Sequence, residues 1–166
     1  MPARPSPDHV DRVVEHWRRE RPDLDVAAMA TLSRLWRVGR LADRRVEEEF
    51  ARHGLQPGWF DVLATLRRAG PPFELTPTAL LEAAMLSSGG MTKRIDRLAD
   101  AGLVERGPDP DDRRGVRVRL TAAGLELVDR VVAAHVANEQ ALLSPLTAAE
   151  QRTLDRLLRK LLAGLE

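Results

Sequence analysis

Gly102-Leu103-Val104-Glu105-Arg106, the loop residues 107–115, and Val116-Arg117-Val118-Arg119-Leu120 are the stretch on which the fold turns. Upstream of it, apolar residues recur every three or four positions, and within it the period drops to two. Val116, Val118 and Leu120 fall on one face of a strand, and Arg117 and Arg119 fall on the other. With Val104-Glu105-Arg106 opposing it, this predicts a two-stranded hairpin whose nine-residue tip, 107–115, carries acidic and basic side chains together.

Working outward, Thr76-Pro77 supplies a cap followed by proline at a first helical position, opening a helix through about Met85. After a tight Leu86-Ser87, Ser88 is placed to cap a further helix ending at Ala101-Gly102. Two short helices joined by such a turn make a helix-turn-helix. Before them, Pro57 starts a helix with Trp59, Phe60, Leu63 and Leu66, ended by Gly70-Pro71-Pro72, and Phe73-Glu74-Leu75 is short and extended. Asp25 caps a long helix closed by Gly54, with a stripe of Met29, Leu32, Trp36, Gly39, Ala42, Val46 and Phe50. That stripe suits packing along another long helix, and equally suits core packing within one subunit. Pro7, after Ser6, marks the first helical position of a short helix with Val10, Val13, Val14 and Trp17 that stops before Pro22.

On the other side, Thr121 caps a long helix whose stripe is Leu125, Val128, Val132, His135 and Leu142. Pro145 breaks it, and the capping box Thr147-x-x-Glu150 starts a last helix with Leu154, Leu157, Leu158, Leu161 and Leu165. The predicted fold class is mainly α with a small β-hairpin. It has N-terminal helices for a ligand pocket and dimerisation at 1–54, a winged helix-turn-helix at 55–120, and C-terminal dimerisation helices at 121–166.

Composition narrows the function. At 166 residues the chain has the length of one domain, and a chain of this size buries about two-thirds of its unfolded surface without metal or disulfide staples. Its longest apolar run, Val26 to Ala30, is five residues, far below a membrane span. The sequence from Met1 to Asp8 has no apolar stretch for a secretory signal, so the expectation is a cytoplasmic, nucleoid-associated protein with no membrane partner. There is no cysteine, which removes disulfides, thiolate metal sites and cysteine catalysis together. The 26 basic and 25 acidic residues leave a net charge of +1, so any basic patch must come from position and not from sum.

Position is suggestive in Ser88-Gly89-Gly90-Met91-Thr92-Lys93-Arg94-Ile95-Asp96-Arg97-Leu98. Met91, Ile95 and Leu98 share one face, and Thr92, Lys93, Arg94 and Arg97 are left to solvent near the helix start. A helix N-terminus offers free N–H groups to phosphate, and Ser88, Gly89 and Gly90 allow a backbone to come close. The four polar side chains have the reach for base edges in a major groove, and read equally as a solvated face. At the hairpin tip, Asp111-Asp112-Arg113-Arg114-Gly115 offers two arginines to the negative potential of a minor groove, with Asp112 able to hold them in pose. A salt-bridged surface loop is the plain alternative.

Leu103-Val104-Glu105-Arg106, Asp109-Pro110-Asp111-Asp112-Arg113-Arg114-Gly115 and Leu120-Thr121-x-x-Gly124 together resemble the MarR family of bacterial transcriptional regulators, over about 55–165. The resemblance implies a homodimeric winged-helix protein that binds a palindromic operator in double-stranded DNA, usually a repressor released by a small ligand. Trp17, Arg21-Pro22-Asp23-Leu24-Asp25, Phe60-Asp61-Val62-Leu63 and Ser87-Ser88-Gly89-Gly90-Met91-Thr92 are similar to its PecS-like, urate-responsive subgroup. That likeness implies a ligand-binding set of Trp17, Asp61, Arg94 and Arg106, and a small anionic effector such as a purine or carboxylic acid.

Catalysis finds no support. His9, His16, His53 and His135 are scattered, and no His-Glu-x-x-His or Gly-x-Ser-x-Gly pattern occurs. His16 with Glu20, or His135 with Glu139, shares a helix face, but a pair leaves most of a zinc site unfilled. No catalytic residue, metal or cofactor is expected. The rival within binding proteins is a non-specific architectural or protein-binding winged helix, which ranks random duplexes equally.

Overall fold

The computed structural model describes residues 6–84, 90–110, 112 and 115–166. Among them the order is α1 His9–Glu20, α2 Ala27–Arg52, α3 Trp59–Arg68, β1 Glu74–Leu75, α4 Pro77–Ala83, α5 Met91–Asp100, β2 Val104–Pro108, β3 Val116–Leu120, α6 Ala122–Leu143 and α7 Ala148–Leu162. The chain divides into two compact units, Met1–Arg45 and Val46–Glu166. No helix among the described residues is long and apolar enough to cross a membrane.

In the first unit, Val10, Val14 and Val26 bury together with Met29 and Ala30 packed against them. Helix α1 starts two residues later than Pro7 suggested, because Asp8 and Asp11 form a capping box. The Asp11 N–H donates to Asp8 and the Asp8 N–H donates to Asp11, both at 2.9 Å. Arg34 of α2 donates to both carboxylates, with Nε 2.8 Å from Asp8 and a terminal nitrogen 2.5 Å from Asp11. These contacts, with the Arg34 hydrogen bond dominant, hold the Asp8 carboxyl down at about 2. Of the long stripe predicted on α2, Trp36 is 69% exposed, Leu32 is exposed too, and Phe50 is the member fully buried.

The second unit holds the main core. Helix α3 is buried on most of its surface through Trp59, Phe60, Val62, Leu63, Thr65 and Leu66. Against it lie Leu80 of α4, Ile95 and Leu98 of α5, Val118 of β3, and Val128 and Val131 of α6. Val131 replaces Val132 of the predicted stripe, since a step of three from Val128 reaches the core and Val132 stays 40% exposed.

The hairpin is correct, but the sheet has a third strand. Glu74 pairs with Arg119 and Leu75 with Val118, giving the order β1-β3-β2. Two residues suffice to satisfy the edge of β3, too few to show a period. Val118 and Leu120 are buried as predicted, whereas Val116, level with Pro108 near the tip, is 40% exposed.

One joint locks α5 to α6. The Thr121 hydroxyl donates to the Gly102 carbonyl at 2.7 Å and accepts from the Gly124 N–H at 3.0 Å. A Cβ at Gly124 would overlap the Leu103 carbonyl, so only glycine lets the two backbones meet. Helix α7, in contrast, has no buried residue.

Candidate nucleic-acid interface

Helix α5 begins differently from its sequence signal. Its N-cap is Gly90, in the left-handed region at φ 89° with no side-chain cap, one position before Met91. Ser88 and Gly89 lie outside the described residues, as do Arg113 and Arg114 of the wing tip. Met91, Ile95 and Leu98 are buried, as their spacing predicted, and anchor the helix on the core.

The opposite face presents Thr92, Lys93, Asp96 and Arg97 to solvent. Arg94 departs from the expectation. It is half-buried, and its guanidine group lies across Gly58, the left-handed N-cap of α3, so closely that a Cβ there would stand 2.6 Å from Nε. Lys93 and Arg97 make no ion pair among the described residues, so their charge is not spent within the fold.

The described arginines of the hairpin strands, Arg106, Arg117 and Arg119, are spent. A terminal nitrogen of Arg106 donates to Asp96 at 2.5 Å, and Arg119 Nε donates to Glu105 at 2.9 Å. Arg117 Nε donates to Asp109 at 3.0 Å. A sum over residues 87–120 therefore overstates what faces a phosphate, and among the described residues the unpaired basic charge of α5 and the hairpin strands lies on the outward face of α5. At the wing, the Asp109 N–H donates to the Gly115 carbonyl at 3.0 Å, and the Gly115 N–H donates to the Asp112 carbonyl at 2.8 Å. Asp112 itself is exposed.

The four residues of the implied ligand set are distributed as follows. Trp17 is 44% exposed on α1, in the first unit. Arg94 rests on Gly58, and Arg106 is held by Asp96. Asp61 lines a cavity of about 270 Å³ between α3 and α6, together with Arg67, Arg68, Val128, Val132 and His135.

Sequence reasoning placed Val128, Val132 and His135 on one stripe of a helix but not on the wall of a cavity. His135 packs tilted against Phe60 and Phe50, with ring centroids 4.9 and 5.1 Å away. Its Nε2 is 3.3 Å from Glu139, and its Nδ1 is buried with no hydrogen-bond partner among the described residues. Arg67 Nε donates to Asp129 at 2.7 Å, and Arg68 donates to the Thr65 hydroxyl at 2.9 Å. The available signal was the histidine inside an otherwise apolar stripe, which is out of place unless something polar faces it. No group of three or more metal-binding side chains occurs among the described residues, so the His135–Glu139 pair stays a pair.

Comparison with known proteins gives consistent matches. The family described as "MarR family" matches residues 53–115. The HTH-type transcriptional regulator PecS of Dickeya dadantii is 43% identical over 149 residues, covering 90% of each chain. The multiple antibiotic resistance protein MarR of Escherichia coli is 34% identical, over 75% of this chain and 85% of that one. A mutant of MarR solved with operator DNA superposes with a TM-score of 0.71 at 33% identity, covering 82% of this chain and 97% of that one. BpsR of Bordetella bronchiseptica, whose DNA binding is regulated by 6-hydroxynicotinic acid, gives a TM-score of 0.67 at 28% identity, over 76% and 89%.

Proposed function

Because the chain belongs to the MarR family of transcriptional regulators, we propose that it represses transcription as an effector-released homodimer on a pseudo-palindromic operator. It is a DNA-binding transcription regulator. The observation that carries the operator reading is the sorting of its cations. Lys93 and Arg97 stand exposed and unpaired among the described residues on the outward face of α5, while Arg106, Arg117 and Arg119 are held by carboxylates. A helix with a free ammonium group in its first turn and a free guanidinium farther along its outward face suits a major groove. In this reading Ser88, Gly89, Gly90 and Thr92 approach phosphates, and Lys93 and Arg97 read bases. Arg94 steadies the helix from Gly58, while Asp112, Arg113 and Arg114 take the wing to the minor groove. The regulator works in the cytoplasm, on the nucleoid.

The dimer reading is supported by apolar side chains that the chain leaves uncovered. Leu157, Leu158, Leu161 and Leu165 of the C-terminal segment and Trp36 of α2 are each at least 40% exposed. By two-fold symmetry, two reading helices then address half-sites about 10 base pairs apart per helical turn.

For the effector, the α3–α6 cavity supplies Arg68 and an unpartnered His135 Nδ1, beside an Arg67 already held by Asp129, and these suit a small planar anion such as an aromatic carboxylate or a purine. Trp17, Asp61, Arg94 and Arg106 belong to the same proposal as the residues that transmit the response. A typical coupling of about 1–3 kcal/mol weakens DNA binding roughly 5–150-fold.

Selection of binding sites from genomic fragments tests the operator reading, and a flat ranking of duplexes would refute it. Titration of urate, xanthine, 6-hydroxynicotinate and citrate against the selected complex tests the effector, with Trp17→Phe and Asp61→Asn as variants. If none of them releases DNA from the wild type, or if both variants respond like the wild type, the effector assignment is wrong.

A further inference from the structure

Arg117 lies on the outward face of β3, where its charge alone would make it a phosphate contact. Its surroundings say otherwise. Its Nε donates to Asp109 at 3.0 Å, and another guanidine nitrogen lies 3.6 Å from Glu74 of β1. The Asp109 side chain is only 7% exposed, and Arg117 and Glu74 are themselves mostly covered, at 27% and 20%. Asp109 is also the residue at which the wing leaves the sheet. It follows Pro108, the last residue of β2, and its N–H closes the hairpin onto the Gly115 carbonyl. A Cβ at Gly115 would stand 2.7 Å from the Asp109 Cβ, so the two sides of the wing base touch with no slack. A planar guanidinium with donors in a fixed fork can hold two carboxylates in set directions, which an ammonium cannot.

We infer that Arg117 is a positioning residue for DNA binding: it ties the base of the wing, through Asp109, to the edge strand at Glu74, and so fixes the direction in which the wing leaves the sheet. The strand β1, which pairs only through Glu74 and Leu75, then has a second purpose. It puts a carboxylate where Arg117 can be anchored from the side opposite the wing. The inference rests on the reading of this chain as an operator-binding regulator.

The sign of one substitution separates positioning from contact. Asp109→Asn removes a negative charge near the DNA and frees the Arg117 guanidinium. If Arg117 met phosphate, that change would leave binding unchanged or strengthen it, because phosphate affinity follows local positive charge. Positioning requires the opposite. Affinity for the selected operator is expected to fall on the order of tenfold in both Asp109→Asn and Arg117→Gln, with the double variant no weaker than the weaker single, as for two members of one network. Arg117→Lys, which keeps the charge, is expected to bind like Arg117→Gln.

Hydroxyl-radical footprints should lose protection at the operator flanks, while the base preferences set by α5 stay as in the wild type. Circular dichroism at the assay temperature confirms the fold of each variant. Glu74→Gln, at the more distant contact, gives a milder form of the same footprint should Asp109→Asn fail to fold. Tighter or unchanged binding by a folded Asp109→Asn, additive losses in the double variant, or full rescue by lysine would each overturn the inference. A wild type that prefers no duplex would instead sink the operator reading, a result seen before any variant is made.

Discussion

Helices α5 and α7 carry the same kind of apolar stripe and meet opposite fates. Met91, Ile95 and Leu98 of α5 disappear into the core, whereas α7 leaves Leu154, Leu157, Leu158, Leu161 and Leu162 at 38% exposure or more. An amphipathic pattern says that a face is to be covered, not by what. The topology of the chain decides the first case: α5 is bracketed by α4 and β2, and loop closure brings it onto α3. Helix α7, after Pro145, buries none of its residues against the other described elements. On the proposed reading, a second copy completes what the first cannot.

The largest expected effect tests that contrast directly. Leu157→Asp with Leu158→Asp should yield a folded monomer by sedimentation, with operator affinity down by roughly 10²-fold or more, since a paired reading head gains that much from linkage. An unchanged dimer would break the comparison. Next, Ile95→Ala should cost about 2–5 kcal/mol of stability, the usual range for a buried aliphatic side chain. Its denaturation midpoint should be lowered equally at all protein concentrations. Leu158→Ala should instead make the midpoint less dependent on concentration, because a weakened dimer adds its concentration-dependent stabilisation only above a higher dissociation constant.

A smaller effect divides the cations. Arg97→Ala is expected to lose about 1–3 kcal/mol on the preferred operator and to relax sequence preference at its own position. Arg119→Ala, whose charge is already met by Glu105, should change operator binding by under about 1 kcal/mol in a competition assay. Equal losses would mean that internal pairing does not sort these residues.

The smallest effect concerns α1. Asp8 is held at about 2, below the ordinary aspartate value near 3.9, so its contribution to docking α1 is complete above about pH 4 and disappears as pH falls through about 2. Protection of the α1 amides, taken relative to intrinsic exchange at each pH, should fall over that window, and Arg34→Ala should weaken the dependence. Protection that does not change with pH in the wild type would remove the Asp8–Arg34 pin from the account.

How far these features were legible in the sequence follows from the range of the forces involved. Period and capping are local, so the helices, the hairpin and the inward faces of α5 and β3 could be read from neighbouring residues. The extended character of Phe73-Glu74-Leu75 could be read as well, but its place in the sheet could not, because its partners lie more than forty positions away. The start of α5 at Gly90 was hidden because a serine beside two glycines advertises a cap that the backbone meets by left-handed geometry. Of the site, the positions of Lys93 and Arg97 were legible, but their availability was not. Availability depends on which carboxylate each arginine meets, as Arg106 meets Asp96 and Arg94 lies back on Gly58. Likewise, His135 shows its meaning only when Phe50 and Phe60 close around it.

The joint at Gly124 makes α6 a lever. At 1.5 Å per residue its 22 residues form an arm about 33 Å long, with its fulcrum pressed on the Leu103 carbonyl between α5 and β2. A swing of about 5° at that fulcrum displaces the far end by roughly 3 Å over such a length. Read in reverse, a shift of a few ångströms at the far end is a few degrees of tilt at that contact, at the turn between α5 and β2. The glycine contributes no side-chain contact of its own, yet it sets the gearing between the two ends.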